Sequence, residues 1–441
     1  MPAIPLRITI LTLLSTAFVL VSSHALSDTQ ATGTAGTGTG QPLTANALAA
    51  WALDANPGLA SAAARAEAAA FRIDPAGSLD DPLLSYAAAP NTIDSPRGLQ
   101  QKLDFSQKIP WPGTLAAREA AARHQAVAAE RDLDALRLQV IARAKAAYAE
   151  WRYLDRALEI HRRTRSMLEE LISAAQTRYA AGRALKQDVL QAQVERAELD
   201  NQLLRLQQLR STVRARINAM LNRAADAPLP AAAPFPPPSP PPPLATLSEQ
   251  ALVQHPELAR LDAQIAAAES RVTLAEKAFY PDFQVGAGYN GLWDAAEKRT
   301  VVGLSINLPL DRSKRRADLG RTRAELQSVE WSLADRRAAL LADLARAHAE
   351  VVEAESSVTL HQRELLPLAE DYLAAALADY RSGSGAFLNV ITAEQRLLAT
   401  ELSAARVLAD YTRRQAELER WSGGPSVLAS SMTAPSMGVE K

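Results

Sequence analysis

The 441-residue sequence contains no cysteine, and aromatic residues make up only 5% of it. The lack of cysteine excludes disulfide bonds, cysteine-ligated metals and a lipid-acylated N-terminal cysteine. Because 48% of the residues are nevertheless hydrophobic, the apolar content comes mostly from alanine and leucine. Alanine-rich seams suit helices that approach one another closely, rather than a thick globular core.

The chain also lacks an excess of either charge, since its formal net charge is −1 at pH 7. Without a basic stripe and interleaved aromatics, there is no electrostatic basis for nucleic-acid binding. The six histidines form no i, i+4 pair beside a carboxylate, which disfavours a metal site. We find no phosphate-binding glycine loop, serine nucleophile elbow or paired carboxylates in a plausible cleft. We therefore expect neither an enzyme nor a cofactor.

Glycine and proline are absent from the long stretch between Thr114 and Ala181. As one helix, this stretch would be a rod roughly 100 Å long. Its apolar side chains recur at steps of three and four, as in a coiled-coil seam. The stretch stops at Gly182, and a second helix with its own leucine seam starts near Lys186. Because glycine readily adopts the left-handed geometry of a helix end, the pattern predicts a long helical hairpin that bends near Gly182.

The same plan occurs twice, with an offset of about 200 residues, which indicates duplication of one structural unit. The second unit has a long helix from about Arg312 to Arg381, which Pro367 is expected to kink or split, and a return helix from Phe387 to Trp421. Each unit is expected to begin with a shorter helical segment, from Leu48 to about Ile73 in the first. The corresponding positions include Leu53–Leu59 with Leu252–Leu258, Ile109-Pro110 with Leu308-Pro309, and Tyr179, Gly182 and Asp188-Val189-Leu190 with Tyr380, Gly383 and Asn389-Val390-Ile391.

The ends of the chain and the join between the units have biased compositions. Arg7, the apolar run Ile8–Val21 and a cleavage point after Ala25 predict a secretory signal peptide. The proline-rich join is expected to lie outside any core. The predicted organisation is a signal peptide (1–25), a disordered leader (26–45), the first repeat (46–226), a proline-rich linker (227–245), the second repeat (246–422) and a disordered tail (423–441).

Two pairs of amphipathic strands precede the long helices. Leu99–Ile109 alternates between a mostly apolar side and a wholly polar side, and Asp81–Ala89 before it looks extended. In the second unit, Asp282–Asn290 and Thr300–Leu308 alternate in the same way. This is the pattern of strands between an apolar medium and water, and each strand is about long enough to cross a bilayer when tilted.

Four strands are too few to close a barrel. An open sheet edge in hydrocarbon would leave unpaired backbone groups, at a cost of several kcal/mol each, so the strands must pair with those of other copies. We predict a mainly α-helical protein with membrane β-structure, in which a trimer forms a roughly 12-stranded β-barrel that an α-helical barrel continues.

In this organisation the sequence resembles the TolC-like outer-membrane efflux proteins. The resemblance covers residues 46 to 422 and rests on the duplicated order of helix, strand pair and hairpin, and on the bend motifs Tyr179–Ala192 and Tyr380–Ala393. It implies a homotrimer with a barrel in outer-membrane lipid and a helical tunnel through the periplasm. It also implies docking onto a periplasmic adaptor (membrane fusion) protein that connects to an inner-membrane pump. The protein would then be the passive exit duct of a tripartite efflux system in a Gram-negative envelope.

The family's tip motif, a glycine followed by an Asp-Val-Leu-like triplet, falls on both bends of this sequence. From the residues alone, Asp188 also reads as a helix N-cap, and Val189 and Leu190 as part of a buried seam. These readings are compatible with docking. The resemblance implies adaptor-docking residues at Gly182, Asp188, Val189, Leu190, Gly383, Gly385, Asn389, Val390 and Ile391.

A tunnel constriction is implied at Asp188, Gln191, Asn389 and Thr392. Some relatives carry an aspartate ring at the second tip, but Asn389 and Thr392 are uncharged here, which disfavours an acidic gate in the second unit. Asp188 still allows a ring of three carboxylates, which would attract cations in a narrow lumen, or a simple cap.

The cargo and the protein class have alternatives. The junction Ser106–Gly113 looks like that of relatives serving metal-cation pumps, which leans toward metal efflux. Organic drugs or toxins and type I protein secretion are the other cargoes. A periplasmic adaptor would also contain a long hairpin, but only one. A soluble coiled-coil scaffold would leave the signal peptide and the amphipathic strands unexplained.

Overall fold

The computed structural model describes residues 42–94, 96, 98–293 and 295–424. The predicted signal peptide, the leader up to residue 41 and the tail from residue 425 lie outside the described residues. The described chain is mostly helical. In chain order its elements are α1 (Ala45–Ala55), α2 (Pro57–Ala70), α3 (Ile73–Gly77), β1 (Leu83–Ala89), β2 (Gln100–Ile109), α4 (Thr114–Ala180), α5 (Lys186–Met220), α6 (Leu244–Gln254), α7 (Pro256–Lys277), β3 (Asp282–Asn290), β4 (Thr300–Asn307), α8 (Arg312–Leu360), α9 (Leu366–Ser382) and α10 (Phe387–Trp421).

The stretch without glycine or proline is one helix, α4, of 67 residues. At the α-helical rise its length is about 100 Å. Gly113 precedes it with a φ of +85°, and Gly182 follows it with a φ of +69°. Both values lie in the left-handed region that glycine adopts without steric cost. Since α5 starts at Lys186, the predicted hairpin and the position of its bend are confirmed.

The helical segment before β1 is divided, whereas the sequence predicted one helix from Leu48 to about Ile73. Asn56 ends α1, and its Oδ1 accepts a hydrogen bond from the Gly58 N–H (2.9 Å). Pro57 starts α2 at the position where a helix needs no amide hydrogen. Residues 74–77, which lie beyond the predicted segment, belong to the short helix α3.

The second repeat has the same arrangement, a capping side chain followed by a proline, but the capping residue is a histidine. His255 caps α7 through Nδ1, which accepts from the Glu257 N–H (3.3 Å), and Pro256 follows as the first helical residue. His255 is 3% exposed, and burial lowers its pKa from the ordinary value. The neutral ring that this favours keeps a nitrogen lone pair available for the cap.

Three apolar clusters hold the helices together. The first surrounds Trp151, where α4 packs on α1, α2 and α5. The second surrounds Leu340 and joins α8 to α6, α7 and α10. The third lies near the two bends and joins the hairpins through Leu168 of α4 and Val390 and Ile391 of α10. Each repeat thus has its own core, and one further core is shared close to the tips.

The second long helix is interrupted next to Pro367, as predicted. A π-helical turn spans His361–Leu365 between α8 and α9, and Pro367 lies in the first turn of α9. A proline there does not have to donate a helical hydrogen bond. The second long helix is therefore split into α8 and α9 by a local widening of the helix.

The proline-rich connector packs on the helices, so the expectation that it lies outside any core is wrong. The Tyr148 hydroxyl donates to the Ala233 carbonyl (2.7 Å). The Tyr411 hydroxyl donates to the Ser239 carbonyl (2.8 Å) and accepts from its N–H (3.0 Å). Leu43, predicted to lie in a disordered leader, forms a parallel bridge with the connector and is 2% exposed. Extended connector backbone leaves polar groups free, and nearby tyrosines satisfy them.

The four strands form one antiparallel sheet in the order β1-β2-β3-β4. The central pair joins the two repeats, with Phe105 of β2 opposite Ala287 of β3. Among the described residues, no helix is long and apolar enough to cross a membrane.

Candidate functional site

One face of the sheet is apolar across all four strands. Directly opposed residues of antiparallel strands share a face. Read from β1 to β4, two neighbouring rows of this face are Leu84, Phe105, Ala287, Val302 and Tyr86, Leu103, Tyr289, Thr300. Val302 is 82% exposed and Leu84 65% exposed in the single chain. A contiguous exposed apolar surface of this kind marks contact with lipid or with another apolar partner.

The opposite face is polar. Lys102 and Asp104 form an ion pair on β2 (2.8 Å), and Lys108 of the same strand pairs with Asp282 of β3 (3.3 Å). One row of this face, from β1 to β4, is Ser85, Asp104, Gly288 and Val301. A second row, from β2 to β4, is Lys108, Gln284 and Ser305. The sheet is therefore suited to separate an apolar medium from water.

The sheet is also open at both sides. Within the described part of the chain, β1 pairs only with β2 and β4 only with β3. The outer edge of each strand therefore offers backbone groups to a further strand. An apolar sheet cannot leave such edges uncovered in hydrocarbon.

Aromatic rings mark the junction between the sheet and the long helices. Trp111, between β2 and α4, stacks on Tyr280 (4.9 Å between ring centroids) and on Phe283 (5.9 Å). The Trp111 N–H also donates to Oδ1 of Asp282 (3.3 Å). These contacts join the first repeat, where it leaves the sheet after β2, to the second repeat, where it enters the sheet at β3.

The first tip is the bend between α4 and α5. The Gly182 N–H donates to the Tyr179 carbonyl (2.9 Å) and closes the turn. Asp188 accepts a long hydrogen bond from the Leu185 N–H (3.4 Å) at the start of α5. A carboxylate in the first turn also interacts favourably with the positive end of the helix dipole. Leu185 occupies the N-cap position that the sequence assigned to Asp188, and Asp188 caps α5 from its third helical position.

The second tip is tighter. Gly383 ends α9 with a φ of +86°, and the Gly385 N–H donates to the Asp379 carbonyl (3.0 Å). A Cβ on Gly385 would lie 2.8 Å from the Cβ of Asp379. This approach is too close for any residue with a side chain, so Gly385 is required by the turn itself.

The predicted docking residues differ in exposure. Leu190 is 50% exposed and Val189 half-buried, whereas Val390 and Ile391 are fully buried in the core shared by the hairpins. In the single chain Val390 and Ile391 pack against neighbouring helices. Sequence reasoning missed Leu388, which is 56% exposed on the first turn of α10. An apolar residue on the open side of a tip turn is the signal that could have identified it.

Arg178 links the two tips, which the sequence did not suggest. Its guanidinium, at the end of α4, donates to the Tyr380 carbonyl (2.8 Å) and to the Arg381 carbonyl (3.0 Å) of α9. It also lies 4.4 Å from the centroid of the Tyr380 ring. A cation favourably neutralises the carbonyl end of a helix. One side chain of the first hairpin thus caps a helix of the second.

The predicted constriction residues lie on both return helices. Asp188 and Gln191 are half-buried on α5, and Asn389 and Thr392 are exposed on α10. The Thr392 hydroxyl donates to the Leu388 carbonyl of its own helix (2.9 Å). Within the described ranges, no group of three or more His, Asp or Glu side chains could hold a metal ion.

An open sheet with one apolar face, joined to long helices of which α4 reaches about 100 Å, defines a membrane protein with β-structure at one end and a long helical body. The profile of the outer membrane efflux protein family matches the chain twice, at residues 48–223 and 247–424. The chain therefore belongs to the outer membrane efflux protein family, which places it in the outer membrane. The family and the structural relatives are outer-membrane channels rather than enzymes.

Two curated relatives show different cargoes in their names. The cobalt-zinc-cadmium resistance protein CzcC of Cupriavidus metallidurans is 24% identical over 251 residues, which are 57% of this chain and 59% of that protein. The toluene efflux pump outer membrane protein TtgF of Pseudomonas putida is 24% identical over 325 residues, 69% of this chain and 65% of that protein. Each match thus spans less than two thirds of the relative's length.

A solved structure supports the fold independently. The open state of the MtrE outer membrane channel of Neisseria gonorrhoeae superposes with a TM-score of 0.72 at 18% sequence identity. The superposition covers 86% of this chain and 89% of MtrE. The expected TolC-like fold, with its duplicated hairpins, is confirmed at this level.

Proposed function

We propose that this protein is the outer-membrane exit duct of a tripartite efflux system, working as a homotrimer. The observation that carries the proposal is the open four-stranded sheet with one exposed apolar face. If β4 of one copy pairs with β1 of the next, three copies close a barrel of roughly twelve strands without a free edge. The apolar face then meets outer-membrane lipid, and the polar face lines the pore.

The long hairpins extend this pore into the periplasm. Their tips lie about 100 Å from the sheet along α4, where they can meet a periplasmic adaptor that connects to an inner-membrane pump. The exposed side chains Leu190 and Leu388 offer apolar contacts to a helical hairpin of that adaptor. Gly182, Gly383 and Gly385 shape the bends that present them.

The duct is passive in this proposal. Solute flows down its gradient once the hairpins part, and the pump supplies the energy. Three copies of Asp188 would place three carboxylates around the tunnel, which attract cations in transit. Gln191, Asn389 and Thr392 add polar but uncharged groups to the same constriction.

The cargo that we favour is a metal cation. The name of CzcC supports it, as does the junction Ser106–Gly113, which resembles that of relatives serving metal-cation pumps. The name of TtgF instead supports an organic toxin. The uncharged Asn389 and Thr392 give the second unit no acidic ligand. An organic solute or a secreted protein is therefore the second candidate.

Growth of a deletion strain tests the function and the cargo together. We expect the strain to become sensitive to cobalt, zinc or cadmium salts, and a plasmid copy of the native chain to restore resistance. Sensitivity to toluene and other organic toxins alone would keep the duct and replace the cargo. Unchanged growth on both groups would overturn the export function.

A further inference from the structure

A carboxyl group with one unpaired oxygen is buried between the two hairpins. Glu394 lies on α10, two turns beyond the second bend, and is 2% exposed. Among the described residues, its Oε1 has no hydrogen-bond partner. An ionised carboxylate in such a place would lose its hydration without compensation, so burial favours the protonated form.

Glu394 borders a cavity of about 310 Å³ whose wall comes from both hairpins. α5 contributes Glu195 and Glu198, and α4 contributes Thr164 and Leu168. α9, the other neighbour of α10, contributes apolar side chains to the adjoining core. The charged groups on the cavity wall are therefore all carboxylates.

The nearby basic groups include Arg196 of α5, whose Nε lies 4.0 Å from Oδ2 of Asp200 and is buried without a hydrogen-bond partner among the described residues. Arg163 of α4 pairs with Glu401, two turns further along α10. Both ring nitrogens of His161 are in hydrogen bonds, one of them to Gln202 on the cavity wall. Arg396 of α10 lines a different groove, beside His361. None of these arginines compensates a negative charge on Glu394, whereas the Glu195 carboxylate opposes one.

We propose that Glu394 is a proton-binding site that couples pH to the separation of the two hairpins. The neutral carboxyl is buried when the hairpins lie together. When it loses its proton, the new carboxylate faces Glu195 across the cavity, and movement of α10 away from α4 and α5 relieves this repulsion and hydrates the buried Oε1. The inference rests on the proposed function only in taking this separation as the opening movement.

The direction of the pH effect depends on whether the closed or the open tip binds the proton of Glu394 more tightly. We call the tip closed when the two hairpins are in contact, as they are here through their shared core. In that arrangement burial, and secondarily the charge of Glu195, raise the pKa of Glu394 from 4.5 to about 7. In the open tip the hydrated carboxyl returns toward its ordinary pKa. The proton therefore stabilises the closed tip fully below the ordinary pKa, and this stabilisation is lost as the pH rises toward 7. Between pH 5.5 and 8.5 the open-to-closed ratio should rise by up to about 30-fold.

Because the native chain has no cysteine, two spin labels can be placed without background. Gln187→Cys on the first hairpin and Ala378→Cys on the second are exposed positions near the tips. Labelled full-length chain, assembled with an excess of unlabelled copies, reports one intramolecular distance by pulsed electron resonance. We expect longer distances to gain population as the pH rises through 7.

The variants separate Glu394 from other titrating groups. Glu394→Gln keeps the size of the side chain and should hold the short distance at every pH, whereas Glu198→Gln, on the exposed part of the same wall, should keep the response. Glu195→Gln should move the pH midpoint of the distance change to lower pH, because it removes the opposing charge. An unmoved midpoint contradicts the proposal even if Glu394→Gln does not fold. The proposal is overturned if the native chain shows no response, or if Glu394→Gln retains it. The growth test of efflux is unaffected by either result.

Discussion

Replacing Val302 by arginine is expected to abolish the assembled outer-membrane form of the protein. Val302 lies in the apolar row with Leu84, Phe105 and Ala287 and is 82% exposed in the single chain. An arginine on the lipid side of a barrel strand costs roughly 2–4 kcal/mol near the midplane. A symmetric assembly carries that cost in every copy. The assembled species should therefore disappear from unheated gels of outer-membrane extracts.

The matched control is Val301→Arg, one residue earlier on the same strand. Val301 belongs to the polar face, in the row with Ser85, Asp104 and Gly288. A charge there points away from lipid, so the assembled species should persist. If both variants assembled, or if both failed, the apolar face would not be the lipid-facing surface.

Replacing Trp151 by alanine should lower the free energy of unfolding by about 3–5 kcal/mol. Trp151 is 1% exposed at the centre of the first core. Its Nε1–H donates to the Pro230 carbonyl (3.4 Å), and the Arg210 guanidinium lies 4.1 Å from its ring centroid. The substitution removes both contacts and leaves a large cavity. Far-ultraviolet circular dichroism during heating measures the effect without depending on tryptophan fluorescence.

Trp331→Ala provides the comparison within the same protein. Trp331 lies on α8 and is 68% exposed, so its loss should change the free energy of unfolding by less than about 1 kcal/mol. Equal losses at both positions would show that Trp151 is not a centre of packing.

The sequence was most informative where one local property determined the structure. The absence of glycine and proline between Thr114 and Ala181 was sufficient to predict α4, because nothing in that stretch interrupts helical hydrogen bonding. Strict alternation predicted β3 with both of its ends. In β1, where the alternation is weak, the structure starts two residues later than expected, at Leu83.

The contacts between distant segments were not predictable from local patterns. Arg178 reaches Tyr380 across the two repeats, and the choice of an arginine at the end of a helix has many explanations. The connector packs because Tyr148 and Tyr411 reach its backbone, whereas its proline content alone indicated a free linker. The burial of Glu394 was not predictable from local sequence either, because it results from the packing of α10 against α4 and α5.

One chain has too few strands to seal its sheet against lipid, so we expect its edge strands to pair with those of other copies. Native mass spectrometry of the protein, extracted from outer membranes in mild detergent, tests it most directly. We expect the mass of three mature chains before heating and the mass of a single chain after heating. A single chain that stays monomeric and dissolves in water without detergent would contradict the account.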